Sequence, residues 1–158
     1  MSDDIKKRAS GFIESQHIMT LATSEKESPW SAPVYYIYCD NNFYFFSNPA
    51  SQHIRGALLN NRVAVSIHFQ SIGWSDIRGV QMSGTISASG LEKQSASAFN
   101  RYLKKFDFIG EIKKTVIIKD IASIESAFKV KFYKFIPETI DYQDNTIKFG
   151  FKERILPG

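Results

Sequence analysis

A chain of 158 residues with a single cysteine, Cys39, can form no internal disulfide and no cysteine metal cluster, so a reducing compartment is its natural setting. Its three histidines, His17, His53 and His68, stand far apart with no HExxH-like or Cys/His cluster beside them, and no metal site is expected. Long apolar runs are missing as well. No segment approaches the ~20 apolar residues that a bilayer span requires, and "MSDDIKKRASGF" at the start carries no apolar stretch, so a soluble, cytoplasmic protein without membrane association is expected. The phosphate-cradling GxxxxGK[ST] loop, a GxGxxG after a strand and a GxSxG elbow are all absent, which removes the common enzyme signatures. No repeat, low-complexity tract or linker divides the chain, and one domain over 1–158 is expected.

What the sequence does hold is apolar and aromatic material, 43% and 14% respectively, enough for a buried core. The net charge of +4 gathers late: residues 101–134 contain nine Lys and Arg against four Asp and Glu. Such a run is ordinarily a solvated face, and Lys104, Lys105, Lys113 and Lys114 are expected on one, which makes nucleic acid an unfavoured partner.

From Asp3 to about Ser15, Ile5, Ala9, Phe12 and Ile13 recur at helical spacing behind a capping Asp. "HIMTLAT" follows as a strand, "ESP" as a turn, and "WSAPVYYIYCD" as one aromatic and β-branched strand that "DNN" folds back into "FYFFS". In "RVAVSIHF", Val63, Val65, Ile67 and Phe69 share one face, and "GVQMSGTISAS" alternates in the same way. "LEKQSASAFNRYLKKF" predicts a helix; in Ile109 to Ala127, "KTVIIKD" suits a strand and "IASIESAF" a helical turn. "KVKFYKFIPETIDY" and "NTIKFGF" return to strands. Closely spaced antiparallel strands with few helices favour a mainly β fold, a β-barrel with flanking helices, over a doubly wound sheet.

The stretch "FYFFSNPASQHIRG" (43–56) is the most suggestive for function. If Ser51 caps a helix running to about Asn60, Gln52 and His53 fall in its first turn, where free N–H groups and a partial positive charge suit an anion. Ser47, ending the preceding strand, faces the same bend. A phosphate there would meet backbone donors, two hydroxyls and an imidazole, and a cationic imidazole would strengthen binding below its pKa near ~6.5.

The order "HIMTLAT", "PWSAPVYYIYCDNNFYFFSNPASQHIRGALLNNRVAVSI", "IRGVQMSGTISAS" resembles the pyridoxamine 5′-phosphate oxidase-related, FMN-binding split barrels. "QH" before the first strand, "IRGVQMSGTI", "AFNRYLKKF" and "DNTIKFGFKERI" resemble their YhbP-like branch. The resemblance covers nearly the whole chain. It implies a six-stranded antiparallel split β-barrel, a homodimer, and one FMN in each of two clefts between subunits. Ser31, Ala32, Pro33, Val34 and Tyr35 would offer backbone contacts to the flavin ring; Ser47, Ser51, Gln52 and His53 would surround its phosphate; Arg78 and Gln81 would add polar contacts from a neighbouring strand. Many flavin-binding members carry a basic residue where this chain has Ala32, and Lys or Arg where it has Gln52 and His53, so FMN would be held with fewer charge-assisted bonds. Arg154 has no neighbouring His to hold a pyridoxamine phosphate, which turns the expectation toward another small-molecule substrate for a flavin-dependent oxidoreductase. The alternative is a non-catalytic barrel that binds a flavin, haem or nucleic acid.

Overall fold

The computed structural model describes residues 3–90 and 92–156. Helix α1 (Asp3–Ser15) precedes strands β1 (Ile18–Glu25), β2 (Ser28–Tyr35), β3 (Ile37–Cys39) and β4 (Asn42–Ser47). Helix α2 (Gln52–Asn60), β5 (Val63–His68), a single 3₁₀ turn (Trp74–Asp76) and β6 (Arg78–Ala88) follow. Three helices, α3 (Lys93–Lys105), α4 (Phe108–Lys113) and α5 (Ile121–Phe128), then lead to β7 (Lys131–Asp144) and β8 (Lys152–Leu156).

All strand pairs are antiparallel, in the order β2-β1-β5-β6-β7-β4-β3, with β8 on β7. The two ends of that order, β2 and β3, are consecutive in the chain and meet at Tyr36, so the sheet curls into a split barrel. Tyr36 is fully buried; its hydroxyl donates to the Ile13 carbonyl at 2.5 Å and its N–H to the His17 carbonyl at 3.1 Å. These bonds break the expected single strand over "WSAPVYYIYCD". That break and the added β8 raise the strand count from six to eight.

The hairpin at Asp40 and Asn41 takes positive φ at both residues, 50° and 62°, the backbone twist that antiparallel strands prefer in a two-residue turn. The turn before β2 falls on Lys26 and Glu27, just ahead of the expected "ESP". The "NTIKFGF" segment is a turn rather than a strand. Asp144 accepts from Thr146, Asn145 accepts from the Gly150 N–H at 3.1 Å, and Gly150 sits at φ 71°, so side chains take the backbone groups a ladder would use. "KTVIIKD" forms no strand, and α5 begins at Ile121 behind Asp120, whose carboxylate accepts from the Ser123 N–H at 2.9 Å.

Period-two burial holds over most of the expected span: Val63, Val65 and Ile67 of β5, and Val80, Met82, Gly84 and Ile86 of β6, face inward, whereas Ala88, expected on the same face, is exposed at the end of β6. Strand β4 is apolar on both sides because it separates two cores. Phe43 and Phe45 enter the barrel interior, while Tyr44 joins Phe99, Tyr102, Phe106 and Phe132 under α3 to α5. The β6–β7 register shifts between Ser83 and Gly84, where Pro137 pairs with Gly84 and Thr139 with Ser83. A bulge of this kind is where a sheet interior accepts proline. Among the described residues no helix is long and apolar enough to cross a membrane.

Candidate functional site

The bend between β4 and α2 draws two serine hydroxyls onto one histidine nitrogen. Nε2 of His53 lies 2.7 Å from the Ser47 hydroxyl and 3.2 Å from that of Ser51. Ser51 holds the N-cap position, with extended backbone (φ −66°, ψ 149°), yet its side chain caps nothing and turns to His53 instead. The first-turn N–H groups of α2 therefore keep no side-chain cap. One imidazole nitrogen can accept one hydroxyl hydrogen or donate one of its own, so in either tautomer at least one serine hydrogen is left for another acceptor. Hydroxyl donors, backbone donors and a helix N-terminus together are chemistry that suits an anion.

The electrostatics are milder than a cationic histidine would give. Burial lowers the His53 pKa from its ordinary 6.5, so the ring is neutral at pH 7. The increase in affinity that imidazole protonation would bring therefore lies at lower pH than the sequence suggested.

The other expected site residues are spread across the sheet. Ser31 to Tyr35 occupy β2, at one end of the strand order; Ala32 is buried, Val34 half-buried, and Ser31, Pro33 and Tyr35 exposed. Helix α2 rests over the end of β1, in line with Ala22, Ala64 and Ser83 across neighbouring strands. Arg78 begins β6 at its opposite end, five residues from Ser83, roughly 16 Å at ~3.3 Å per residue. The guanidinium of Arg78 stacks 4.3 Å above the Phe69 ring and its buried Nε has no hydrogen-bond partner. Across the ladder stands the buried Asp144. Burial alone would raise that carboxyl, but hydrogen bonds from Thr146 and Tyr142 and the charge of Arg78 hold it below its usual range. Gln81 is exposed on β6, where its Oε1 accepts from Lys152 at 2.6 Å. Within one chain, then, Ser47, Ser51 and His53 come together, Gln52 adjoins them on α2, and Arg78 and Gln81 do not join them. Arg154 is held by Asp141 through two bonds of 2.6 and 3.1 Å.

Sequence reasoning missed the supports of the bend. Arg55 donates to the Ala50 carbonyl at 2.5 Å and pairs with Glu25 at 3.3 Å, tying the loop before α2 to the end of β1. Asn60 donates to the Ser24 carbonyl. A Cβ at Gly56 would stand 3.2 Å from the Ser24 backbone, so glycine permits the close seat of α2 on β1. An isolated glycine inside a helical pattern was the available signal.

Comparison with known proteins follows from this geometry. The family model described as pyridoxamine 5′-phosphate oxidase matches residues 5–143. A UPF0306 protein of Yersinia pseudotuberculosis serotype O:1b (strain IP 31758) is 32% identical over 98 residues, 60% of this chain and 65% of the relative, so the match spans just under two thirds of that protein. A UPF0306 protein of Klebsiella pneumoniae is 27% identical over 143 residues, 89% of this chain and 86% of its own length. Among solved structures, a haem-binding protein from Mycobacterium smegmatis superposes with a TM-score of 0.71 at 15% identity, covering 98% of this chain and 58% of that one. A FAD-binding protein from Mesorhizobium loti gives 0.58 at 18% identity, covering 89% and 92%. At these identities the two structures establish the shared fold.

Proposed function

Because the chain belongs to the pyridoxamine 5′-phosphate oxidase family, we propose that it binds FMN between two copies of itself and acts as a flavin-dependent oxidoreductase on a small molecule. The observation that carries the cofactor is the convergence of Ser47 and Ser51 on His53 at the uncapped start of α2. These donors fit a phosphate. Ser51 spends its hydroxyl away from the helix, and a neutral His53 can still hydrogen-bond to a phosphate oxygen. The β2 backbone at Ser31 to Tyr35 would hold the ring. Arg78 and Gln81, remote from the bend in their own chain, would reach it from the second copy.

When bound, the flavin supplies the redox chemistry; the chain supplies binding, orientation and exclusion of water. Pyridoxamine phosphate oxidation itself is not part of the proposal, since Arg154 has no neighbouring His and is engaged by Asp141. The mycobacterial and mesorhizobial neighbours bring a second reading, a barrel that holds haem or a flavin without turnover. The visible spectrum of the purified protein after incubation with FMN separates them. Bands of oxidised flavin that survive desalting are expected. A Soret band would favour haem, and a colourless protein that takes up no FMN would defeat the flavin proposal.

A further inference from the structure

Strands β6 and β7 are antiparallel neighbours that a short hairpin could join, yet 42 residues, 89–130, run between them and contain α3, α4 and α5. That excursion is far longer than a hairpin between the two strands would need. Part of this one covers the outer face of β3, β4 and β7 with the second aromatic core. Between that core and α4 and α5 it leaves an open cavity of about 260 Å³.

The walls of the cavity include Tyr35, Phe46, Tyr102, Phe108, Ile112 and Phe128, and none of its lining residues is charged. Three other concavities each carry charged residues: Glu92, Lys119 and Asp120 in one, Lys6 in the next, and Glu14, Arg101, Lys104 and Lys105 in the last. Tyr35, Phe108 and Phe128 are 46%, 38% and 43% exposed, which places large rings at the mouth of the apolar cavity. The Tyr35 ring meets Phe106 and Phe108 edge-on or tilted, each at 5.2 Å between centroids, so that wall is braced. Burial drives the Tyr102 hydroxyl well above its usual range, keeping it neutral.

Tyr35 also lines a smaller apolar concavity with Ile18 of β1 and with Pro33 and Val34, the part of β2 assigned above to the flavin ring. One aromatic side chain is thus the common wall of the proposed ring site and the apolar cavity. We propose that this cavity is the substrate pocket, and that its ligand is an uncharged, planar molecule of one or two aromatic rings. The size and the lining both select such a ligand. At about 260 Å³ the space falls short of the ~300–1,000 Å³ of drug-sized ligand sites, and its lack of charge penalises an ionic compound that would have to shed water. The substrate assignment rests on the flavin proposal; occupation of the cavity does not.

Binding is tested with prodan, 6-propionyl-2-dimethylaminonaphthalene, a two-ring uncharged probe whose emission shifts to the blue on leaving water. The full chain is titrated with and without saturating FMN. Saturable 1:1 binding is expected in both, weakened at least tenfold by Ile112→Trp, which fills the cavity from α4. Phe128→Lys, at a mouth position exposed enough to keep the fold, should weaken it similarly. Circular dichroism and FMN affinity of both variants should match the parent. Prodan binding that is absent, or unchanged in both folded variants, overturns the pocket. So does a loss of dimer mass in these variants, which would make the cavity part of a protein interface. Prodan binding by a chain that takes up no FMN would keep the pocket and defeat the flavin reading alone.

Discussion

The Ser47 hydroxyl stands 2.7 Å from Nε2 of His53, joining the end of β4 to the first turn of α2 across a four-residue bend. His53 lies in the first turn of a helix whose N-cap side chain caps nothing, so His53→Ala should cost little helix stability and act on the ligand instead. A hydrogen bond to a charged phosphate is worth about 1.5–3 kcal/mol, so FMN affinity should fall roughly 10- to 100-fold while riboflavin affinity stays put. Burial lowers the His53 pKa in the empty site, so the His53-dependent gain in FMN affinity on acidification should continue to lower pH before it levels off than an unperturbed imidazole would give, and should be absent in His53→Ala. Titration by flavin fluorescence quenching decides it: equal losses for FMN and riboflavin would place His53 at the ring or in the fold.

Gly84 lies in the β6–β7 bulge with Ile136 against it. A Cβ there would sit 2.1 Å from the Ile136 carbonyl oxygen, which is backbone and cannot swing aside. Gly84→Ala should lose at least the ~1–3 kcal/mol typical of an overpacked core, read as a lower urea midpoint with an unchanged slope. Gly11→Ala is the control, since an added Cβ there meets nothing within 4 Å and α1 would gain helix propensity. Equal midpoints for the two variants would show that the bulge yields.

The parts of the fold legible in the sequence were those whose pattern was enforced by burial. Val63, Val65 and Ile67 had one side in a core, and period two followed. The "DNN" hairpin was readable from residues that tolerate positive φ. The break at Tyr36 was not, because nothing in "VYYIYC" distinguishes it from a continuous strand; the Ile13 and His17 carbonyls that hold it come from elsewhere in the fold. "NTIKFGF" misled for the opposite reason: an apolar alternation was overridden by local bonds from Asp144 and Asn145. Helix α4 is short and has only Ile109 fully buried, so periodicity had too few turns to register. At the bend, Ser51 was correctly placed at the N-cap, but its partner was settled by a distance that sequence cannot supply.

Strand β2 ends the hydrogen-bonded order and leaves Trp30 about half exposed, 47%. An edge of this kind, carrying an aromatic side chain, is suited to meeting a second copy across a two-fold axis. Light scattering should give about 36 kDa, twice the chain's 18.0 kDa, and Trp30→Glu should halve it at low concentration. A parent protein that stays at the mass of one chain over a hundredfold concentration range would remove the shared cleft.

Lys105 departs from the solvated face expected of the late lysines. Its ammonium donates to the Gln16 carbonyl at 2.5 Å and lies 4.4 Å above the Tyr36 ring, half-buried against the packing rather than free in solvent. Burial pushes its pKa down to about 8, against the partial opposition of Glu14. The folded chain therefore holds fewer protons at this site than the unfolded chain between pH 8 and about 10, and stability from Lys105 rises with pH across that window. Above about pH 10 the trend reverses, because burial holds the Tyr36 and Tyr102 hydroxyls protonated in the fold while the unfolded chain releases them. Lys105→Met keeps the aliphatic stem and removes the charge, so its urea midpoint should gain on the parent at pH 7 and the difference should shrink by pH 9.5. A midpoint difference that is constant with pH would mean that Lys105 keeps its ordinary proton affinity in the fold and contributes only through packing and its bond to Gln16.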